Sequence, residues 1–406
     1  MDVTTLDLPQ LDYTDPELRG DEFHRRMKEL SEQNWLAQAP LGYVVLDREA
    51  CEFFLRSKQA EFPGLKLAEL FDITEGPLHE EIVENVISIN GDDHRRLRSL
   101  VNPALSTRAV QKYRPQMRKF LEELEDAAAA TGDELEFVDA FAKPYPSFVI
   151  ANVMGAPLSY AEQLHGWSNE IQRQFDVAAL ASDRQSIEDA VAEFYEFAEG
   201  LIADRRSTPS DDLISDLISA EEAGEKLSPK ELRNLILNIL VGGVDTSQSQ
   251  LAHTIRLLAQ HPEQWEALRA DPERLGPAAV EEGIRFEPIT PFTARITIEE
   301  VEYRGVTIPK DTVLMICAFT GNRDPQVVSN PDQFDIERQS DTKRLLTFGA
   351  GIHYCVGANL ARAELNEAMQ FLAERWERIE LAGEPKFQAV TGVYGMESLP
   401  LKITRA

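Results

Sequence analysis

The chain has 406 residues, a net charge of −29, 43% hydrophobic residues and 27% charged residues. This length and composition predict a globular protein with a substantial buried core and argue against disorder. The strongly negative charge argues against nucleic acids and anionic lipid surfaces as partners, because both are polyanions.

The sequence shows neither an apolar run of about 18 residues nor a basic leader followed by an apolar stretch, so we expect no membrane anchor and no export. Its three cysteines, Cys51, Cys317 and Cys355, form an odd and sparse set that predicts no disulfide framework. Both observations fit a protein of the reducing cytoplasm.

The N-terminal part begins with a polar, acidic lead-in. Residues 42–46 form a short apolar run with β propensity, and Asp47 is placed to cap the helix that follows. Between residues 64 and 90, apolar patches that include Leu70 and Phe71 alternate with glycine, proline and acidic residues. This alternation is typical of a loop region.

A basic block follows between residues 94 and 120. His94 and Arg98 lie four residues apart, so on a helix they would share one face and could grip two oxygens of one anion. The alternative is an ordinary solvated basic face. No acidic residue interrupts the block. Its cations are Arg95, Arg96, Arg98, Arg108, Lys112, Arg114, Arg118 and Lys119.

Apolar spacing predicts helices from about 107 to 129 and within 139–220, followed by a long central helix from a capping box at Ser228 to about Gln260. At roughly thirty residues and about 45 Å, the central helix would cross the whole domain. Its middle has two adjacent glycines, beginning at Gly242, and each costs about 1 kcal/mol relative to alanine.

Two interpretations of this central stretch are open. Glycine pairs, and a threonine that bonds back to an earlier carbonyl, can simply kink a helix. Alternatively, the distortion forms a groove without side chains for dioxygen, with the Asp245 carboxylate and the Thr246 hydroxyl beside it. The second interpretation makes these two residues candidate catalytic groups.

Two weaker patterns follow the central helix. Glu282 and Arg285 are spaced to pair on one helix face, although a Glu-x-x-Arg pattern alone is very common. A β-rich segment of alternating apolar residues begins near Phe292 and contains Arg295. Neither pattern indicates a function by itself.

The most informative stretch is residues 348–357, which read Phe-Gly-Ala-Gly-Ile-His-Tyr-Cys-Val-Gly and precede a helix-like segment. Three glycines within ten residues predict a backbone folded tightly against another group. Cys355 would lie near unpaired amides and the positive end of a helix dipole, which favour thiolate over thiol. A thiolate there is a metal ligand or a nucleophile, whereas an isolated cysteine is usually a small buried hydrophobe.

The pattern Phe-Gly-x-Gly-x-His-x-Cys-x-Gly resembles the haem-binding signature of the cytochrome P-450 family, and every fixed place in it is filled. The resemblance extends from about Tyr43 to the C-terminal tail. It implies a mainly α fold with smaller β regions and with haem b (iron protoporphyrin IX) between the long central helix and the cysteine-loop helix. It also implies one P-450 domain over 1–406, with an N-terminal β-rich part at about 40–65, a helical core at about 94–290, and a β-rich, haem-loop part at about 291–406.

The resemblance assigns roles to particular residues of this chain. Cys355 would ligate the iron, and Asp245 and Thr246 would support proton delivery. The expected haem contacts are His94, Arg98, Arg295, His353, Phe348, Gly349 and Gly242. The expected structural group is Glu282, Arg285 and Arg338. The expected substrate pocket is formed by Leu70, Phe71, Ile239, Ile289, Thr290, Phe292 and Tyr394.

The resemblance implies a haem-thiolate monooxygenase that puts one oxygen atom of dioxygen into a C–H bond of a lipophilic small molecule and releases the other as water. NAD(P)H would supply electrons through a ferredoxin reductase and an acidic ferredoxin, which would dock on the basic block and on Lys343 and Arg344. The alternatives are a peroxide-driven peroxygenase and a non-enzymatic haem binder or sensor. Neither of them needs the acid–alcohol pair of Asp245 and Thr246.

Overall fold

The computed structural model describes residues 1–222, 227–338 and 344–406, and helices dominate it. Within these ranges, no helix is long and apolar enough to cross a membrane. The α-helices are α1 (Gly20–Gln33), α2 (Arg48–Arg56), α3 (Gly64–Leu70), α4 (Pro77–Glu84), α5 (Gly91–Ala104), α6 (Thr107–Val110), α7 (Arg114–Ala129), α8 (Pro144–Met154), α9 (Ala161–Gln172), α10 (Val177–Ser182), α11 (Arg184–Ser207), α12 (Leu213–Glu222), α13 (Pro229–Gly243), α14 (Asp245–Gln260), α15 (Pro262–Ala270), α16 (Pro272–Phe286), α17 (Ala318–Gly321) and α18 (Ala358–Arg375).

The strands form small sheets. They are β1 (Leu36–Ala39), β2 (Gly42–Val45), β3 (Ala60–Glu61), β4 (Glu134–Glu136), β5 (Phe292–Thr297), β6 (Val301–Tyr303), β7 (Val306–Ile308), β8 (Val313–Cys317), β9 (Trp376–Leu381), β10 (Lys386–Phe387), β11 (Met396–Ser398) and β12 (Pro400–Arg405). A five-stranded sheet has the order β1-β2-β8-β5-β3, and a three-stranded sheet has the order β4-β12-β9. The pairs β6-β7 and β10-β11 complete the set.

The five-stranded sheet joins two β-rich parts that are far apart in the sequence. β2 runs parallel to β8, with Val44 opposite Met315, and β3 pairs with β5. The N-terminal β-rich part therefore forms one sheet with the β-rich segment that follows the helical core. A parallel pair needs a long connection, and here the whole helical core supplies it.

The predicted central helix is two consecutive helices, α13 and α14, which meet at Val244. At this junction the Thr246 hydroxyl donates to Gly242 O at 2.6 Å. Gly243 packs so closely on α8 that a Cβ there would lie 2.3 Å from Ile150 Cδ1. The helix is therefore interrupted at the glycine pair, where the sequence predicted a distortion, because α8 crosses it closely and the threonine bonds back to an earlier carbonyl.

The predicted helix over 107–129 is also interrupted. α6 ends at Val110, the residues Gln111–Tyr113 form a 3-10 turn, and α7 begins at Arg114 with Pro115 in its first turn. Proline lacks an N–H and its ring clashes with the carbonyl of the preceding turn, so an α-helix does not run unbroken through this position.

The second half of the central helix, α14, is surrounded by protein. Leu251, Ile255 and Leu258 are fully buried, and polar residues such as His253 and Thr254 are buried with them. Burying each such aliphatic side chain contributes about 1.5–3 kcal/mol to folding. α14 packs against α8, α9, α16 and α18 and so fixes the position of the residues at its start.

The structure brings Glu282, Arg285 and Arg338 together. Arg285 Nε donates to Glu282 Oε2 at 2.7 Å, and Arg338 Nε donates to the same oxygen at 3.2 Å. Arg338 also donates to the carbonyls of Asn330 and Gln333. Because these hydrogen bonds offset the cost of burying the Glu282 carboxylate, the group anchors the segment before Arg338 to α16.

Candidate active site

Cys355 sits in a tight turn just before α18. Its backbone N–H donates to Phe348 O at 2.9 Å. Gly349 and Gly351 have φ values of +70° and +73°, in the left-handed region that favours glycine. At Gly351 a Cβ would also lie 2.9 Å from Leu55 O, so the turn packs directly on α2.

The surroundings of Cys355 act on the pKa of its thiol in two opposite directions. The residue is exposed to the cavity, but the protein packed around it still desolvates the thiol and raises its pKa, and this is the largest effect. The N–H groups of Gly357 and Ala358 and the guanidinium groups of Arg98 and Arg362 lower it. The free thiol therefore stays protonated near neutral pH, and a bound cation would convert it to the thiolate that these groups stabilise.

A cavity lies between the cysteine turn with α18 on one side and the central helix on the other. Cys355 and Leu360 line the first wall, and Gly242, Gly243 and Thr246 line the second. An apolar cavity with a few convergent polar groups is typical of a small-molecule site. The remaining aliphatic lining comes from Leu105, Ile150, Ile239, Ile284, Ile289, Val356, Ala361 and Leu365.

Asp245 and Thr246 lie at the junction of α13 and α14. Asp245 is only 5% exposed; its Oδ2 accepts a hydrogen bond from the Ser168 hydroxyl at 2.9 Å, and its Oδ1 has no hydrogen-bond partner in the described chain. Burial raises the pKa of Asp245 to about 7, although the bond from Ser168 lowers it. The carboxyl group can therefore gain or lose a proton near neutral pH.

Four basic side chains meet beside the cysteine turn, and none has a carboxylate partner among the described residues. The rings of His94 and His353 lie 4.5 Å apart, and neither ring nitrogen of His94 has a hydrogen-bond partner there. Arg98 donates to Tyr354 O at 2.7 Å. Arg295, only 4% exposed, donates to a neighbouring backbone carbonyl.

This cluster of basic groups is suited to binding an anion. Burial, together with the charges of His94, Arg295 and Arg98, lowers the pKa of His353 to about 3. Burial also lowers the pKa of Arg295 to about 10. Because buried cations without acidic partners are costly, the cluster fits a ligand that brings carboxylates close to the Cys355 thiol.

Comparisons with known proteins identify the family. The sequence model of the family described as cytochrome P450 matches residues 19–378. The chain belongs to the cytochrome P450 family. This P450 is 35% identical over 404 residues to luteothin monooxygenase of Streptomyces thioluteus, covering 98% of this chain and 97% of that protein. It is 34% identical to mycinamicin IV hydroxylase/epoxidase of Micromonospora griseorubida, over 76% of each.

Solved structures agree with the sequence match. The Bacillus subtilis 168 bacillaene polyketide synthase cytochrome P450 PksS superimposes with a TM-score of 0.85 and 30% identity, covering 95% of this chain and 98% of that one. The predicted mainly α P450 fold is thereby confirmed, and the protein is an oxidoreductase of the monooxygenase type. P450s use haem and dioxygen. The unpaired His94 nitrogens and the guanidinium groups of Arg98 and Arg295 fit a haem and its two carboxylates.

Several residues predicted from the P450 motifs line the cavity. They include Ile239, Ile289 and Thr290 from the expected substrate pocket, and Gly242 and Phe348 from the expected haem contacts. The two groups share one cavity because α13, the cysteine turn and the segment after α16 border the same space.

Leu70, Phe71, Phe292 and Tyr394, the other residues predicted for the substrate pocket, are not among the residues that line this cavity. Leu70 is 70% exposed at the end of α3, and Phe71 packs on the hydrophobic core. Phe292 and Tyr394 both pack on Phe23, and the Tyr394 hydroxyl accepts a backbone N–H at 2.7 Å. The positions of these residues in the sequence did not show which way their side chains point.

Three polar residues of the cavity walls were not predicted from the sequence. Asn238 and Gln250 stand eight residues before and four residues after Thr246, so helical spacing from the known threonine could have identified both. Glu364 on α18 also lines the cavity and accepts a hydrogen bond from the Ser247 hydroxyl at 3.0 Å. Burial raises the pKa of Glu364 to about 8, and no sequence pattern indicated this carboxyl group.

Proposed function

We propose that this P450 is a haem-thiolate monooxygenase that inserts one oxygen atom of dioxygen into a lipophilic small molecule. The observation that carries the proposal is that Cys355 and Thr246 line two walls of the same cavity. A group held by the thiolate would therefore face the glycine-lined groove and Thr246, and the buried carboxyl group of Asp245 lies next to Thr246 in the chain, outside the cavity lining.

Haem b, when bound, would supply the iron that activates dioxygen and accepts electrons. Cys355 would ligate this iron as a thiolate. His94, Arg98, Arg295 and His353 would hold the propionates. Support for this assignment comes from the unpaired nitrogens of His94 and from the buried guanidinium of Arg295, which has no acidic partner within the described chain.

Asp245 and Thr246 would move protons into the cavity. The Asp245 carboxyl can hold or release a proton near neutral pH, because burial raises its pKa to about 7. Thr246 lines the cavity and its hydroxyl donates to Gly242 O, and by rotating, this hydroxyl could instead donate a hydrogen bond into the cavity. Ser168 would orient the carboxyl group through its hydrogen bond to Oδ2.

The aliphatic lining supports a lipophilic substrate, since burying apolar surface is the main source of affinity in such a cavity. The relatives add a biosynthetic context: one is named for luteothin, one for mycinamicin IV, and one for the bacillaene polyketide synthase. We therefore propose a bacterial secondary metabolite as the substrate class.

The experiment that tests the function uses the holoenzyme and isotopically labelled dioxygen. Ligands that shift the haem Soret band are first selected from a small-molecule library. With NADH or NADPH, a ferredoxin and a ferredoxin reductase, we expect a bound ligand to gain one labelled oxygen atom, because the second atom leaves as water. Label absent from the product, together with equal or faster turnover on hydrogen peroxide alone, would establish the peroxygenase alternative instead.

The proposed ferredoxin docks on a smaller patch than the sequence predicted. Most cations of the basic block already have acidic partners from other parts of the chain: Lys112 bonds to Asp211 at 2.7 Å, and Arg114 bonds to Glu367 at 2.5 Å. Paired cations attract an acidic partner only weakly, because their field is largely cancelled. The other ion pairs of the block are Arg95–Asp92, Arg96–Glu231, Arg118–Glu374 and Lys119–Glu123.

Two exposed cations near the cysteine turn form no ion pair within the described chain. Arg108 lies on α6, which packs against α18, and the Arg344 guanidinium lies 5.1 Å from the Tyr354 ring centre. Ile352 in the turn is 58% exposed and offers an apolar contact. We propose these residues as the ferredoxin patch; Lys343, predicted to extend it, lies outside the described residues.

Charge reversal at this patch should slow electron transfer. We expect Arg108→Glu and Arg344→Glu each to lower the rate of haem reduction by ferredoxin roughly fivefold at low ionic strength, because surface charges steer association. The difference should shrink as added salt screens the charges. Lys119→Glu is the matched control, since it makes the same charge change at a cation already paired with Glu123. Equal rates for all three variants would leave the ferredoxin site unassigned.

A further inference from the structure

A polar stripe on the first turns of α13 contacts residues 80–86, which run from the middle of α4 into the segment after it. The stripe consists of Lys230, Asn234 and Asn238, which recur every four residues on one face of the helix. Lys230 Nζ lies 2.9 Å from Glu80 Oε2, and Asn234 Nδ2 donates to the Glu81 carbonyl at 3.3 Å. Asn238 makes the third connection, to the backbone N–H of Val86, which lies five residues beyond Glu81.

Asn238 is the member of this stripe that reaches the cavity. Its Oδ1 accepts the backbone N–H of Val86 at 3.1 Å, and its Nδ2 donates to Asn234 Oδ1 at 3.1 Å. The network fixes this orientation of the amide, because Asn234 uses its own Nδ2 to donate to the Tyr195 hydroxyl at 2.9 Å. Asn238 therefore cannot flip without losing both hydrogen bonds.

This arrangement leaves one N–H of the Asn238 amide unused. A primary amide carries two donor hydrogens, and one of them is committed to Asn234. No second acceptor for Nδ2 lies among the described residues, and the side chain is partly exposed to a cavity with mostly aliphatic walls. A fixed donor in such surroundings favours a ligand that offers an acceptor, because an unpaired donor beside apolar ligand surface is unfavourable.

The position of Asn238 restricts where that acceptor can be. Asn238, Gly242 and Thr246 share one face, and eight residues correspond to roughly 12 Å along a helix. A ligand that reaches from the groove at Thr246 to Asn238 is therefore elongated, with its acceptor about two helical turns from the reacting end.

We propose that Asn238 is a specificity-determining residue that donates its free amide hydrogen to a carbonyl or ether oxygen of an elongated lipophilic substrate. The inference rests on the proposed monooxygenase function and adds a chemical requirement to its substrate. A substrate anchored in this way places its far end against α13, and its other end lies beside Thr246.

The test compares two ligands that differ by one acceptor oxygen, 1-nonylimidazole and 1-(8-oxononyl)imidazole. Their binding to the holoenzyme is followed by the shift of the Soret band, which reports affinity and not turnover. We expect the preference for the keto ligand over the alkyl ligand to fall about fivefold in Asn238→Leu, the effect of one neutral hydrogen bond.

Two further variants separate the cavity contact from the packing of the stripe. Asn238→Asp keeps an oxygen for the Val86 N–H but replaces the donor by an acceptor, so it should lose the preference even if Asn238→Leu does not fold. Lys230→Ala removes the contact of the same stripe with Glu80 but leaves both hydrogen bonds of Asn238 and the cavity wall unchanged, so it should keep the wild-type preference.

The outcomes distinguish this inference from the function on which it rests. An unchanged ligand preference in Asn238→Leu or Asn238→Asp overturns the role of Asn238 and leaves the monooxygenase proposal standing. A wild-type protein whose Soret band responds to neither imidazole would instead contradict the proposed haem-thiolate site.

Discussion

Replacing Cys355 by serine is expected to abolish the red-shifted Soret band of the reduced, carbon-monoxide-bound protein. The band reports thiolate ligation, and Cys355 is the cysteine that lines the cavity. A serine hydroxyl is a much weaker acid than a thiol and would not replace the thiolate at this position. The measurement is the absorption difference between reduced samples with and without carbon monoxide.

The other two cysteines supply matched controls. Cys51 and Cys317 are fully buried, and burial raises the pKa of Cys51 well above its ordinary value and that of Cys317 to about 11. We expect Cys51→Ser and Cys317→Ser to keep the band. A band that survives in Cys355→Ser and disappears in either control variant would show that the thiolate comes from elsewhere.

The cysteine turn could be predicted from the sequence because its determinants are local. Gly349 and Gly351 adopt positive φ values, and the N–H groups after Cys355 lie at the start of α18, as the glycine spacing and the helix-like segment indicated. The capping box at Ser228 is local in the same sense, and the structure shows both of its hydrogen bonds. Short-range rules therefore placed the ends of the elements that form the two walls of the cavity.

Features that depend on contacts between distant parts of the chain could not be predicted from local sequence patterns. The basic block contains no acidic residue within its own sequence, yet Arg114 bonds to Glu367, 253 residues away. Tyr394 was predicted for the substrate pocket; its backbone N–H donates to the carbonyl of the cavity residue Ile289, and its ring packs against Phe23 from α1. Side-chain direction and charge neutralisation depend on which surfaces the fold brings together, and one sequence does not contain that information in a local pattern.

Substitutions at Thr246 and Asp245 should have different effects on catalysis. We expect Thr246→Ala to retain haem and ligand binding but to release most reducing equivalents as hydrogen peroxide, because the hydroxyl that lines the cavity is lost. Asp245→Asn should instead slow turnover, by about a hundredfold if the carboxyl acts in general acid–base catalysis. The measurements are peroxide and product formed per NADH consumed, together with the turnover rate. An unchanged turnover rate and unchanged coupling in both variants would mean that Asp245 and Thr246 only kink the helix and take no part in proton delivery.

The pH dependence gives a second, independent test of Asp245. Because burial raises the pKa of this carboxyl group from 3.8 to about 7, the folded protein keeps a proton there that the unfolded chain has already released. This group's contribution therefore makes the folded state less stable as pH rises from about 4 to 7, and it makes turnover fall above about pH 7 as the proton donor is lost.

Asp245→Asn keeps the shape of the side chain and can still accept the Ser168 hydrogen bond, but it does not titrate. We expect this variant to lose both pH dependences, measured by urea unfolding of the protein and by the pH profile of turnover. Identical profiles for the wild type and the variant would mean that Asp245 stays ionised in the folded protein and is not the proton donor.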